Sequence, residues 1–157
     1  MDLTTHAPRS SRSLFAGVVG LGRTTDKARA FLNGTLGDYY YGYDCPHDWA
    51  VFDVLGIDGA KYATMVARLG DDAAIEAWVQ ETYLHTIGPE RISQWNDEFL
   101  RCGPDYAPTL IPDGNPLKGL TNDIFAGFLT AIAPERTDVR TVVGLLDIED
   151  GHEAILR

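Results

Sequence analysis

Between Pro46 and Gly103 the chain is cut by helix starters and stoppers roughly every three turns, which leaves room for short helices and little else. Pro46 suits a first helical position, Asp48 adds negative charge to the same turn, and Gly56 closes the run, with Trp49, Phe52 and Leu55 inward. Ile57 and Tyr62 flank Asp58 as a staple around an N-cap. The helix that follows turns Tyr62, Met65, Val66 and Leu69 to the core and stops at Gly70. Asp71 caps another, with Ile75, Trp78, Val79 and Thr82 inward and an end before Gly88. Pro89 opens a further helix, whose face is Ile92, Trp95 and Phe99 and whose end is Gly103.

The flanks are read the same way. Leu14, Val18, Leu21, Thr25, Ala28 and Leu32 follow at helical spacing and predict a long first helix over 11–33, stopped by Asn33 and Gly34. Gly17, Gly20 and Gly22 each weaken it by roughly 1 kcal/mol relative to alanine, so a break is expected near Gly22. Prolines 104, 108, 112 and 116 make residues 103–120 a long loop, a lid or binding loop in type, that Tyr106, Leu110, Ile111 and Leu117 can pin down. Asn122 then caps a helix with Phe125, Phe128, Leu129 and Ile132 inward. Thr137 caps a last one with Val139, Val142, Val143 and Leu146 inward, before a solvated acidic tail of Asp147, Glu149, Asp150 and Glu153. The sum is an all-α fold, a compact bundle of about six or seven helices in a single domain over 1–157, with at most a trace of strand near Tyr39 to Tyr43.

Composition narrows function by exclusion. A formal charge of -10 with no run of lysine or arginine repels polyphosphate, so neither nucleic acid nor an anionic membrane is an expected partner. Two cysteines are too few for a disulfide scaffold, and the N-terminus has no basic segment leading into a long apolar run. The expected setting is cytoplasmic, with reduced thiols. The four histidines show no metal-ligand spacing, and the glycine of the acidic tail comes too early for a calcium loop, so no metal is expected. No GxGxxG, Walker or GxSxG motif is present, and no cofactor is implied.

The runs DKARAFLNGTLGDYYYG, CP, FDVLGID, WNDEF and LLDIEDG resemble an uncharacterised bacterial family known only as a domain of unknown function. The resemblance spans most of the chain and is most specific in the first run. It implies a small, mostly helical bacterial protein and carries over no catalytic residue.

Candidate site residues therefore come from the residues themselves, and they concentrate between Gly22 and Pro46. On the helical wheel Arg29 lies near the apolar stripe, while Arg23 and Lys27 lie nearly opposite it. Asp26 is three residues from both Arg23 and Arg29. An Asp26–Arg29 ion pair is one reading, and Arg29 facing a cleft to hold an anion is the other. Tyr39 and Tyr41 project to one side of an extended segment, as a packed aromatic cluster or as a pocket wall. Cys45 falls at the start of a helix, where free amides favour a thiolate. Trp49 and the tyrosines are expected to bury it, and His47 is poorly spaced to serve as its base. Two classes remain open: a small-molecule pocket protein or enzyme built on these residues with the proline loop as its cover, and a noncatalytic module that binds another protein.

Overall fold

The structure, a computed structural model, describes residues 1–152. It is mostly helical with one small sheet. A β-hairpin of β1 (Leu14–Phe15) and β2 (Val18–Val19) leads into α1 (Leu21–Leu32), α2 (Pro46–Leu55), α3 (Gly59–Leu69) and α4 (Asp72–Val79). A π-helical turn, Gln80–Leu84, joins α4 to α5 (His85–Ile87) as one continuous rod, followed by α6 (Pro89–Arg101), α7 (Asn122–Ile132) and α8 (Val142–Glu149). Counted with that rod as one, seven helices are described, in the predicted range. The fold is not purely α, however. No helix is long and apolar enough to cross a membrane among the described residues.

The hairpin stands where the first half of the predicted 11–33 helix was expected. Leu14 pairs with Val19 and Phe15 with Val18, around a two-residue turn in which Ala16 (φ 51°) and Gly17 (φ 81°) both take the left-handed region that such a turn requires. Ala16 bears a steric cost there, offset by groups from distant helices. Glu76 accepts from the Ala16 amide, Asn96 clasps the Gly17 carbonyl and the Val19 amide, and Trp95 donates to the Val19 carbonyl. Tertiary bonding overrides the helical period. Gly20 (φ 86°) then turns the chain into α1, and a Cβ there would press on Val51 and His47 of α2 at 3.0 and 3.4 Å.

Helices α2 and α3 begin and end where the punctuation puts them, and so does the rod from α4 through α5, which stops at Ile87 before Gly88. The Asp58 and Asp71 side chains accept the Lys61 and Ala74 amides, and Gly56 closes α2 at φ 68°. Thr82 is exposed, because the π turn carries Tyr83 and Leu84 to the core in its place. The segment around Tyr39 to Tyr43 forms no strand; it ends in a 3-10 turn, Gly42–Asp44. Thr121, not Asn122, caps α7, and Thr141, not Thr137, caps α8. Phe125 and Leu129 of α7 pack on Val139, but Phe128 and Ile132, expected inward, are exposed.

The proline-rich loop is fastened down. Glu98, buried on α6, accepts from the Thr109 amide and hydroxyl and from the Leu110 amide, while Gln94 steadies its other edge. Ile111 and Asn115 of the loop are themselves buried. Glu98→Ala strands these donors and is expected to cost about 2 to 3 kcal/mol, read as a lower urea midpoint, with amide exchange quickening first over residues 109–112.

Candidate functional site

Helix α1 is buried over nine of its residues, including Arg23, Thr24, Thr25, Asp26 and Lys27. A helix enclosed on nearly every side needs a partner for each charge it carries, and α1 finds them in distant segments. The Lys27 ammonium donates to the Asp48 carboxylate at 2.8 Å, the Tyr40 carbonyl at 3.0 Å and Cys45 Sγ at 3.2 Å. Arg23 bonds to Asp150 just past α8, and the Tyr39 hydroxyl donates to the same carboxylate at 2.8 Å. Arg23 and Lys27 are one turn apart, and both face a cleft of about 790 Å³.

The cleft is walled by the N-terminal strap of residues 3–7, by α1, by Gly37 to Tyr40, by Cys45 and His47 at the head of α2, and by Leu146 and Glu149 of α8. Cys45 is the N-cap of α2 and only half-buried, so the expected full burial of its thiol is not what the structure has. Residues 103–120 do not reach the cleft. The strap does the covering that was expected of the proline loop.

Behind the cleft lies a polar network with an enzyme-like order. Ser11 Oγ is 3.0 Å from His47 Nε2, and His47 Nδ1 is 3.1 Å from Asp48 Oδ1. Asp48 also accepts from Thr24 at 2.8 Å and from the Gly42 amide at 3.1 Å. Burial pushes the His47 imidazole down to about 4, so the ring is neutral, with Nδ1–H donating to Asp48 and Nε2 accepting from Ser11. Burial by itself would raise the Asp48 carboxyl. The Lys27 ammonium and His47 outweigh it and hold the group at about 2. A nucleophile–base–orienter sequence is the geometry of a hydrolase triad, but Ser11 is fully buried and does not line the cleft. The array as it stands is an internal scaffold for the cleft floor.

Of the residues singled out from the sequence, Arg23, Lys27, Tyr39 and Cys45 come together on the cleft wall; Asp26, Arg29 and Tyr41 do not. Asp26 and Arg29 do meet, at 3.4 Å, but each has a shorter partner. Arg9 grips Asp26 bidentately at 2.7 and 2.9 Å with its backbone amide added at 2.9 Å, and Arg29 reaches Asp72 at 2.7 Å. Asp26→Ala leaves Arg9 with Asp72 alone and should lower stability by about 2 to 3 kcal/mol in urea denaturation, with Arg29→Ala costing less because Arg9 still holds the carboxylate. Tyr41 is buried, donates to the Gly59 carbonyl at 2.7 Å and packs edge-on against Phe52.

The sequence reading missed Asp48, Ser11 and the strap. Asp48 reads as an ordinary first-turn charge, and only its neighbour His47 hints at a buried partner. The acidic tail is also corrected: Asp147 is buried against Arg12 and Ser10, and Asp150 is shielded beneath Arg23, so neither is a solvated charge. Glu153 lies outside the described residues.

Fold and site together define a small, mostly helical protein with one polar cleft floored by paired buried charges. The chain belongs to the domain-of-unknown-function family DUF5069, whose family model matches residues 5–152, from the strap to just past the Asp150 that bonds Arg23. A search of the curated proteins returns no match.

Proposed function

We propose that the protein is a cytoplasmic, bacterial-type small-molecule-binding protein whose ligand enters the cleft between the N-terminal strap and α1. The observation that carries this reading is the convergence of Arg23, Lys27, Tyr39, Cys45 and His47 on one concave space of about 790 Å³ that the N-terminal strap and α8 complete from opposite ends of the chain. Sites for small molecules are few per protein and are made of such polar groups set against apolar walls. The scaffold beneath is rigid, since Lys27, Asp48 and His47 are all buried and hydrogen-bonded, and a rigid floor reduces the ordering cost of binding.

A metabolite screen by thermal shift tests it, because a ligand at 100-fold its dissociation constant adds about 2.7 kcal/mol to stability. The expected result is at least one hit whose addition shifts the Tyr39, Tyr40 and Cys45 amide resonances. Hits that move only residues remote from the cleft would overturn the reading, as would a screen without hits. A second reading, a protein-binding module, is favoured by a different observation: Ile124, Phe128 and Ile132 of α7 are exposed at four-residue spacing, an uncovered apolar stripe.

A further inference from the structure

The two cleft cations differ in what they have left to give. Lys27 has three N–H bonds and three acceptors, in Asp48, Tyr40 and Cys45, so its donors are spent inside the protein. Arg23 carries five donors in a planar fork, and among the described residues it bonds only from Nη1, to Asp150. No shielded side-chain nitrogen or oxygen of the described residues lacks a partner. The Arg23 Nε and Nη2, which have none, are therefore open to the cleft although the side chain as a whole is only 4% exposed. Asp150 binds the fork from Nη1, and the Tyr39 ring, 5.6 Å from the guanidinium, packs against it while its hydroxyl holds the same carboxylate. A fixed fork with its Nε and Nη2 donors unused suits one carboxylate bound bidentately.

The remaining charges say what else the ligand carries. Arg23 and Lys27 are already matched by Asp150 and Asp48, whereas the exposed Glu149 and Asp38 on the cleft wall make no hydrogen bond or ion pair with a described residue. A bare anion would add to an unmatched negative rim, and a polyanion more so. A zwitterion would not. Glu149 adjoins in sequence the Asp150 that binds the fork, and Leu3, Tyr40 and Leu146 line the same cleft with apolar surface. We propose, building on the small-molecule reading above, that the cleft takes a free α-amino acid with an apolar or aromatic side chain: its carboxylate on Arg23 Nε and Nη2, its ammonium toward Glu149, its side chain against Tyr40 and Leu146.

The test compares L-phenylalanine with 3-phenylpropionate, which lacks the ammonium, and 2-phenylethylamine, which lacks the carboxylate. Each is titrated into the wild type, R23K and E149Q while the Arg23 side-chain Nε–H and the Tyr39, Tyr40 and Cys45 amides are followed by nuclear magnetic resonance. Phenylalanine is expected to shift these signals with a dissociation constant about tenfold or more below either half-ligand, the equivalent of one charge-assisted contact. E149Q, an exposed change that leaves the fold intact, should weaken phenylalanine several-fold and leave 3-phenylpropionate unchanged; R23K should weaken both. If 3-phenylpropionate binds as tightly as phenylalanine, or E149Q binds phenylalanine like the wild type, the amino-acid assignment falls and the cleft remains a binding site. If none of the three compounds moves a cleft signal, the assignment falls outright, and the metabolite screen decides separately whether the cleft binds anything.

Discussion

Asp48→Ala is expected to remove about 3 to 5 kcal/mol of stability, a large share of what a domain of this size possesses. The substitution leaves the Lys27 ammonium, 1% exposed, with a carbonyl and a sulfur in place of its counter-ion. It also strands the Gly42 amide and the His47 ring N–H, which point at the same carboxylate, and leaves the Thr24 hydroxyl with the Gly20 carbonyl alone. Breaking one half of a buried pair is costly because the surviving charge stays out of water, whereas deleting both halves is not. Lys27→Met combined with Asp48→Leu should therefore recover much of the loss. Urea midpoints with an unchanged denaturant slope measure both variants. A loss under about 1 kcal/mol for Asp48→Ala would mean that water reaches Lys27 and that the charge is not held as the structure has it.

Why the sequence hid this pair is a matter of geometry. The helix boundaries of α2, α3 and α4 were legible because caps act locally: Asp58 bonds the amide of Lys61 three residues on, and Gly56 closes its own helix. Arg23 and Lys27 could not be placed by the same logic. The wheel assigns them to a wet face on the assumption that α1 has one, but α1 is enclosed, and Leu14 and Leu32, both placed on the apolar stripe of the predicted helix, are exposed. What keeps Arg23 and Lys27 inside are carboxylates at positions 150 and 48, and no local period encodes a partner 127 residues away.

The hairpin teaches the same lesson from the other side. Leu14 and Val18 are four apart and fit a helix, but Glu76 accepts from the Ala16 amide while Trp95 and Asn96 donate to the Val19 and Gly17 carbonyls, bonds that need backbone groups a helix would have used within itself. The glycines were the available signal, since Gly17 and Gly20 both sit at positive φ. At the site, Tyr39, Cys45, Arg23 and Lys27 were found from residue type in one crowded stretch. The strap and α8 that complete the cleft lie at opposite ends of the chain and carry no such mark.

Acid should loosen the molecule well before its carboxylates titrate, and His47 is the reason. Its folded value of about 4 lies below the value near 6.5 of an unfolded histidine, because burial disfavours the imidazolium more than the adjacent Asp48 favours it, with Lys27 and Arg23 adding repulsion. Between those two values the unfolded chain binds a proton that the native protein refuses, so stability falls as pH falls, by about 1.4 kcal/mol per unit and toward roughly 3 kcal/mol by pH 4. Above pH 6.5 or so the contribution is fully present. Asp48 acts in a lower window: held at about 2 when folded, it supports the native state down to its unfolded value near 3.9 and loses that support only below it. Urea midpoints measured from pH 7.5 to 4.5 should therefore hold down to about pH 6.5 and decline steadily below it in the wild type. His47→Gln, less stable at pH 7 for want of the ring's two hydrogen bonds, should show a flatter slope, because the proton that the unfolded chain would take up is gone. Parallel slopes for the two proteins would mean that His47 is free to protonate in the folded state, and that the floor of the cleft is wet.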